Sequence, residues 1–333
     1  MTASTDSTLA AEVSRLSLGQ LGARIMLEQL EQIEKHEPGA RAGSDPEELH
    51  KMRVATRRLR VAFGVFEEEL AKAGVGELPV EEAKQVADAL GGVRDLDVFI
   101  EWLDEQGRNP GSGESGAAAI RHVRADRSAR RNEARRRMIE TLDGPAPVAL
   151  GNALTTQLEA IGCASFMVPG DGVRKKDRVA RAGKRLLERS RKRLVKRGAG
   201  LFAPTMGELH SVRIAAKRFR YTCEFVRPAL PVSDAALAAA IERATAVQDT
   251  LGELHDAHIA EAALLDDAIG AGMGGDGPAA AGIAALAKGQ RARAEAALLG
   301  FREAWEQVPR RGWLKMRPAA PAEETNDDGA VDR

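Results

Sequence analysis

Apolar residues return every three or four positions through most of the chain, in runs separated by clusters of Gly, Pro and Ser. The breaks fall at Pro38 to Pro46, Gly74 to Pro79, Gly107 to Gly116, Gly144 to Pro147, Gly162 to Gly172, Gly198 to Pro204, Pro228 to Pro231 and Gly270 to Pro278. Between them the period predicts helices over 18–36, 46–73, 79–106 and 115–141, a short bridging helix over 147–161, and helices over 174–198, 205–228, 233–269 and 279–308. Long helices joined by short turns predict antiparallel bundles and an all-α fold.

The pattern is also duplicated. Leu49-His50-Lys51-Met52-Arg53-Val54-Ala55-Thr56-Arg57-Arg58-Leu59-Arg60 returns as Leu209-His210-Ser211-Val212-Arg213-Ile214-Ala215-Ala216-Lys217-Arg218-Phe219-Arg220, an offset of 160. A second echo, Leu90 to Asp97 against Leu251 to His258, has an offset of 161. Two motifs in the same order at nearly one offset mean a repeated unit. Two four-helix halves follow, a first bundle over about 18–141 and a second over about 174–308, joined by a bridge over 142–173. Residues 1–17 are expected to be a flexible N-terminus, and the acidic, Pro-containing tail 316–333 to be disordered.

In the first copy, His50, Arg53, Arg57 and Arg60 are spaced three, four, three, which confines them to an arc of about 80° on a helix. Leu49, Met52, Leu59, Phe63, Phe66 and Leu70 fill one flank of this stripe, and Val54, Val61 and Val65 the other. The second copy repeats it with His210, Arg213, Lys217 and Arg220, flanked by Leu209, Val212, Phe219, Cys223, Val226 and Leu230 and by Ile214, Tyr221 and Phe225. A solvated basic face lies opposite one apolar stripe, whereas these cations lie between two. They are therefore expected to line a groove, where unpaired charges demand a counter-charge. Asp95, Asp97 and Asp256 are internal candidates, too few for the cations of both copies.

Composition sharpens this. The 333 residues carry 49 Lys+Arg against 49 Asp+Glu with aromatics at 4%, which disfavours an all-β protein. Zero net charge hides a basic centre: eight Arg stand between Arg121 and Arg137, and thirteen Lys or Arg between Arg174 and Arg197. No apolar run is long enough to span a bilayer and no secretory signal is visible, so the protein is expected in the cytoplasm without a membrane partner. Cys163 and Cys223 lack CxxC spacing, and His255, Asp256 and His258 align with Arg94, Asp95 and Asp97, so neither a disulfide nor a metal is expected. His36 and His122 read as surface residues, and Trp102, Trp305 and Trp313 as packing residues outside the basic stripes. No phosphate-binding loop, dinucleotide fingerprint or catalytic motif appears.

The stretch His50 to Arg60 is similar to the signature HxxRVxxRRLR of the conserved histidine α-helical domain family, CHAD, and His210 to Tyr221 resembles its second signature, HxxRxxxKRxRY. The resemblance covers about residues 18–315. It implies two pseudo-symmetric four-helix bundles with a basic groove or pore between them, and the binding of inorganic polyphosphate, with gathering at polyphosphate granules. It implies that His50, Arg53, Arg57, Arg58, Arg60, His210, Arg213, Lys217, Arg218 and Arg220 line the polyanion site, and it adds Arg24, Arg124, Arg131, Lys184, Arg185 and Arg293 from other basic helices. Some relatives carry a triphosphate-tunnel domain, but this chain has no ExExK motif, so that activity is not implied.

The expected function is therefore non-catalytic, cofactor-free binding of inorganic polyphosphate, since arginine donates bidentate, permanently charged hydrogen bonds to phosphate. Two other readings stand beside it: a polyphosphate-processing enzyme using His50 or His210, and a non-specific nucleic-acid-binding protein, against which the buried setting of the stripes and the neutral total charge argue.

Overall fold

The computed structural model describes residues 16–108, 113–164, 172–230, 234–309 and 312–313. The expected flexible N-terminus up to residue 15 and the tail 316–333 lie outside the described residues. Among those described there are nine α-helices and no strand. They are α1 (Leu18–Ala42), α2 (Pro46–Lys72), α3 (Val80–Gly107), α4 (Gly113–Asp143), α5 (Pro145–Ala164), α6 (Gly172–Gly198), α7 (Met206–Val226), α8 (Asp234–Met273) and α9 (Gly277–Glu306), with a 3-10 turn at Arg227–Ala229 after α7. No helix among them is long and apolar enough to cross a membrane.

Local chemistry explains the boundaries. Ser17 and Gln20 form a capping box at the start of α1, Thr205 and Glu208 one at the start of α7, and Asp45 caps α2 ahead of Pro46. The break at Pro38 predicts a helix end near residue 36, but α1 continues through Pro38 to Ala42. Its extra turn is held from outside: the Arg135 guanidinium of α4 donates to the carbonyls of Ala40 and Arg41, and Gly43 closes the helix at φ 68. The bridging helix is longer than its pattern suggests, running over all of α5 and packing on α1, α3 and α4.

Each half packs its helices in chain order, α1 on α2, α2 on α3 and α3 on α4, then α6 on α7, α7 on α8 and α8 on α9. Equivalent contacts recur at the duplication offset. Gly22 of α1 leaves the space that Phe66 fills, and Gly183 of α6 is approached in the same way by Val226 and Leu230. The halves meet at α4 against α9, at α2 against α7 and, more lightly, at α1 against α6. One continuous core built on Met26, Met52, Phe66, Phe219 and Val226 runs through both halves. A second cluster of Leu103, Ile120, Val123, Leu264 and Ile283 seals the α3, α4, α8 and α9 end, where Arg127 lies over the Phe99 ring and pairs with Asp267 at 2.5 Å.

The α2–α7 contact is aromatic and charged. Phe66 and Phe225 approach with ring centroids 6.0 Å apart, and Tyr221 stacks on Phe225 at 5.9 Å. Arg58 lies 5.1 Å over the Tyr221 ring and pairs with Glu224, while Arg220 covers Tyr221 at 4.4 Å. The two repeated helices are thus packed against each other with their basic stripes brought to one side.

Candidate functional site: a basic groove between the repeated helices

Two adjoining recesses open along the seam. A smaller one of about 330 Å³ is lined by Arg53, Arg57 and Arg60 of α2, Asp88, Gly91 and Asp95 of α3, His210, Arg213 and Lys217 of α7, and Gln248 of α8. A larger one of about 650 Å³ shares Arg53, Arg57, Asp95 and Arg213, and adds His50, Arg94, His255, Asp256, Gln290 and Arg293. The shared residues make the two recesses one groove. His210 in the first and His255 in the second face each other with ring centroids 5.6 Å apart.

The groove holds more cation than its own carboxylates neutralise. Arg53 Nη2 reaches Asp95 at 3.0 Å, but its buried Nη1 has no hydrogen-bond partner. Gly91 faces that nitrogen, where a Cβ would come within 3.0 Å, and the equivalent Gly252 faces Arg213 with its Nη2 at 3.5 Å from the same point. Two glycines at corresponding positions thus leave room for two corresponding arginines. Burial, reinforced by Arg57, Arg213, Arg60 and Arg53, depresses the Lys217 ammonium to about 8. Burial and the neighbouring Arg53, Arg213 and Arg220 leave Arg57 below the usual arginine value. His50 is lowered by burial and by Arg94, and His210 by burial and by His255, Arg213 and Lys217. Mutually repelling cations without matched anions form an electrostatic cradle for an external anion.

The placement of the sequence-derived residues divides them. His50, Arg53, Arg57, Arg60, His210, Arg213, Lys217 and Arg293 line the groove. The others line neither recess. Arg58 turns to Glu224 and the aromatic rings of α7, and Arg220 stays over Tyr221 with Glu224 at 3.9 Å. Arg218 donates to the Gly64 carbonyl and lines a separate recess with Arg189, Arg193, Glu67 and Glu68. Arg24 pairs with Glu28 at 3.1 Å, Arg124 with Asp104 at 2.5 Å, and Arg131 with Asp97. Lys184 and Arg185 lie on α6 and border neither recess. These residues neighbour the stripe in sequence or share its charge, but internal carboxylates, a carbonyl and rings engage the guanidinium groups of Arg24, Arg58, Arg124, Arg131, Arg218 and Arg220.

Other expectations change as well. His36 is buried, with Nδ1 2.7 Å from Glu48 Oε2, tying α1 to α2 and holding the Glu48 carboxyl below its ordinary range. Ile214, expected on an apolar flank, is exposed along the smaller recess. Trp102 packs edge-on against Phe99 at 5.6 Å and also borders the larger recess. Arg94, Gln248 and Gln290 line the groove without having been singled out, because they stand on other helices. The echo pairing Arg94 with His255 was the one signal that could have found Arg94.

A model of the CHAD domain matches residues 24–265, most of the chain. The chain belongs to the CHAD domain family. Its fold is similar to the crystal structure of the CHAD domain from the plant Ricinus communis, with a TM-score of 0.69 and 23% identity over 91% of this chain and 95% of that one. It also resembles PptA from Streptomyces chartreusis, with a TM-score of 0.54 and 18% identity over 86% of this chain and 99% of that one. At these identities the likeness is one of fold. No curated protein matches the sequence. Both copies of the basic motif fall inside the matched CHAD segment, whereas α9 with Gln290 and Arg293 lies beyond its end.

Proposed function

We propose that this CHAD domain binds inorganic polyphosphate in the groove between α2 and α7, without chemical turnover, and that this binding directs it to polyphosphate granules. Polyphosphate binding is the known role of the family. The observation that carries the reading is the convergence of Arg53, Arg57 and Arg60 with His210, Arg213 and Lys217 in one recess whose carboxylates are only Asp88 and Asp95. Successive phosphates would replace water there with charge-assisted hydrogen bonds from both halves. A linear polymer of identical units suits a site made of repeated, nearly equivalent donors. The buried Arg53 Nη1 gains an acceptor, and Lys217 regains a counter-charge.

The test is competition. Labelled long-chain polyphosphate bound to the protein is displaced by unlabelled polyphosphate or by length-matched duplex DNA at two salt concentrations, with orthophosphate release followed in parallel. Selective displacement by polyphosphate that persists at the higher salt, without release, supports the reading. Equal displacement by both polymers that collapses in salt overturns it in favour of a diffuse basic surface.

A further inference from the structure

The larger recess contains features that a polyphosphate chain does not use. Val98 of α3 and Ile259 of α8 border it at 40% and 56% exposure. They occupy equivalent positions of the duplication, 161 residues apart, so each half contributes one apolar wall. Phe99 and Trp102 extend the wall on the α3 side, where α8 carries only Ala260 and Ala263, so the space is wider on one flank. Gln290 is 2% exposed, lines the recess, and has a buried side-chain oxygen with no hydrogen-bond donor. A fully ionised phosphate chain offers acceptors alone. It can satisfy neither an orphaned acceptor nor an apolar wall.

Both are met by a flat ring that carries N–H donors, held beside phosphates. We propose that the larger recess takes the base of a nucleoside polyphosphate, with the base between Val98 and Ile259, a ring amino group donating to Gln290, and the phosphates on Arg53, Arg57 and Arg213. A volume of about 650 Å³ lies in the range of small-molecule sites, and a few polar groups on apolar walls is their usual composition. This proposal rests on the polyanion reading above, because its phosphate end uses the same arginines.

The experiment is calorimetric titration of the full chain with ATP and, separately, with inorganic tripolyphosphate, which has the same number of phosphates and no base. The expected result is ATP binding about tenfold tighter than tripolyphosphate, the scale of one base packed on a side-chain platform. The double variant Val98→Ser, Ile259→Ser, altered only at exposed positions, should bind the two ligands equally, with tripolyphosphate affinity unchanged. Gln290→Leu should also lose the ATP preference, and a melting curve verifies that it is folded. Equal wild-type affinities, or an ATP preference that survives the double variant, would overturn the nucleoside site while leaving the polyanion groove standing. Failure of ATP and tripolyphosphate to bind to a protein that still binds long-chain polyphosphate would overturn the nucleoside site alone, and failure of all three would overturn both.

Discussion

Arg53 holds Asp95 at 3.0 Å across the α2–α3 seam while its other terminal nitrogen stays buried without a partner. The Asp95 side chain is 72% exposed, so this pair is a weak, solvent-screened tie rather than a structural bolt. Asp95 then acts as an internal competitor for the ligand. Asp95→Asn is expected to tighten polyphosphate binding about two- to fivefold, the scale of a surface ion pair, and to leave the melting temperature unchanged. Titration of the variant beside the wild type measures both.

The glycines facing the two arginines give a second, opposite pair of effects. Gly91→Ala adds a methyl 3.0 Å from Arg53 Nη1, and Gly252→Ala adds one 3.5 Å from Arg213 Nη2. Alanine is favoured over glycine inside a helix by about 1 kcal/mol. Gly91→Ala should therefore keep or raise stability while weakening polyphosphate binding severalfold, because the guanidinium must move. Gly252→Ala, whose added methyl makes only ordinary contact, should bind almost as the wild type does. Parallel melting and binding curves separate the two effects.

Lys217 sets the pH dependence. Its folded value of about 8 lies below its ordinary 10.5, so between these values the unfolded chain holds more protons and stability rises with pH. A bound polyanion restores the charged form, so binding takes up a proton above about pH 8 and affinity falls as pH rises through that value. His50 and His210, both depressed in the free protein, add a second gain in affinity as pH falls through the histidine range. Calorimetry at pH 8.5 in buffers of different ionisation enthalpy should show this proton uptake in the wild type and not in Lys217→Met.

The sequence shows the helices well and the groove in part, and the difference has a physical cause. Breakers mark most helix ends because backbone geometry forces them, but at Pro38 a tertiary contact from Arg135 carries the helix on. The stripe of His50, Arg53, Arg57 and Arg60 is readable because its spacing decides which face it shares. Arg58 looks equivalent in sequence, yet one residue of rotation turns it to Glu224, 166 positions away, and no local pattern announces that partner. Arg94, Gln290, Val98 and Ile259 were not assigned to the groove because they reach it from α3, α8 and α9, and only the packing of helices brings them together.

Arg58 and Arg57 should consequently behave as opposites despite being adjacent. Arg58→Ala removes the Glu224 pair and the cover over Tyr221 and Phe225, and is expected to cost about 1–3 kcal/mol of stability with little change in affinity. Arg57→Ala removes a cation from a crowd of cations, so stability should hold or rise while polyphosphate affinity falls. Denaturant unfolding and ligand titration on the same two proteins distinguish these outcomes.

In the proposed binding mode, equivalent arginines of the two halves hold one polyanion together. The most direct measurement is the affinity for long-chain polyphosphate of Arg53→Glu, Arg213→Glu and the double variant, each verified as folded by its melting curve. Each single reversal is expected to weaken binding about a hundredfold and the double to abolish it. Unchanged affinity in the double variant would contradict this binding mode and place polyphosphate elsewhere on the protein.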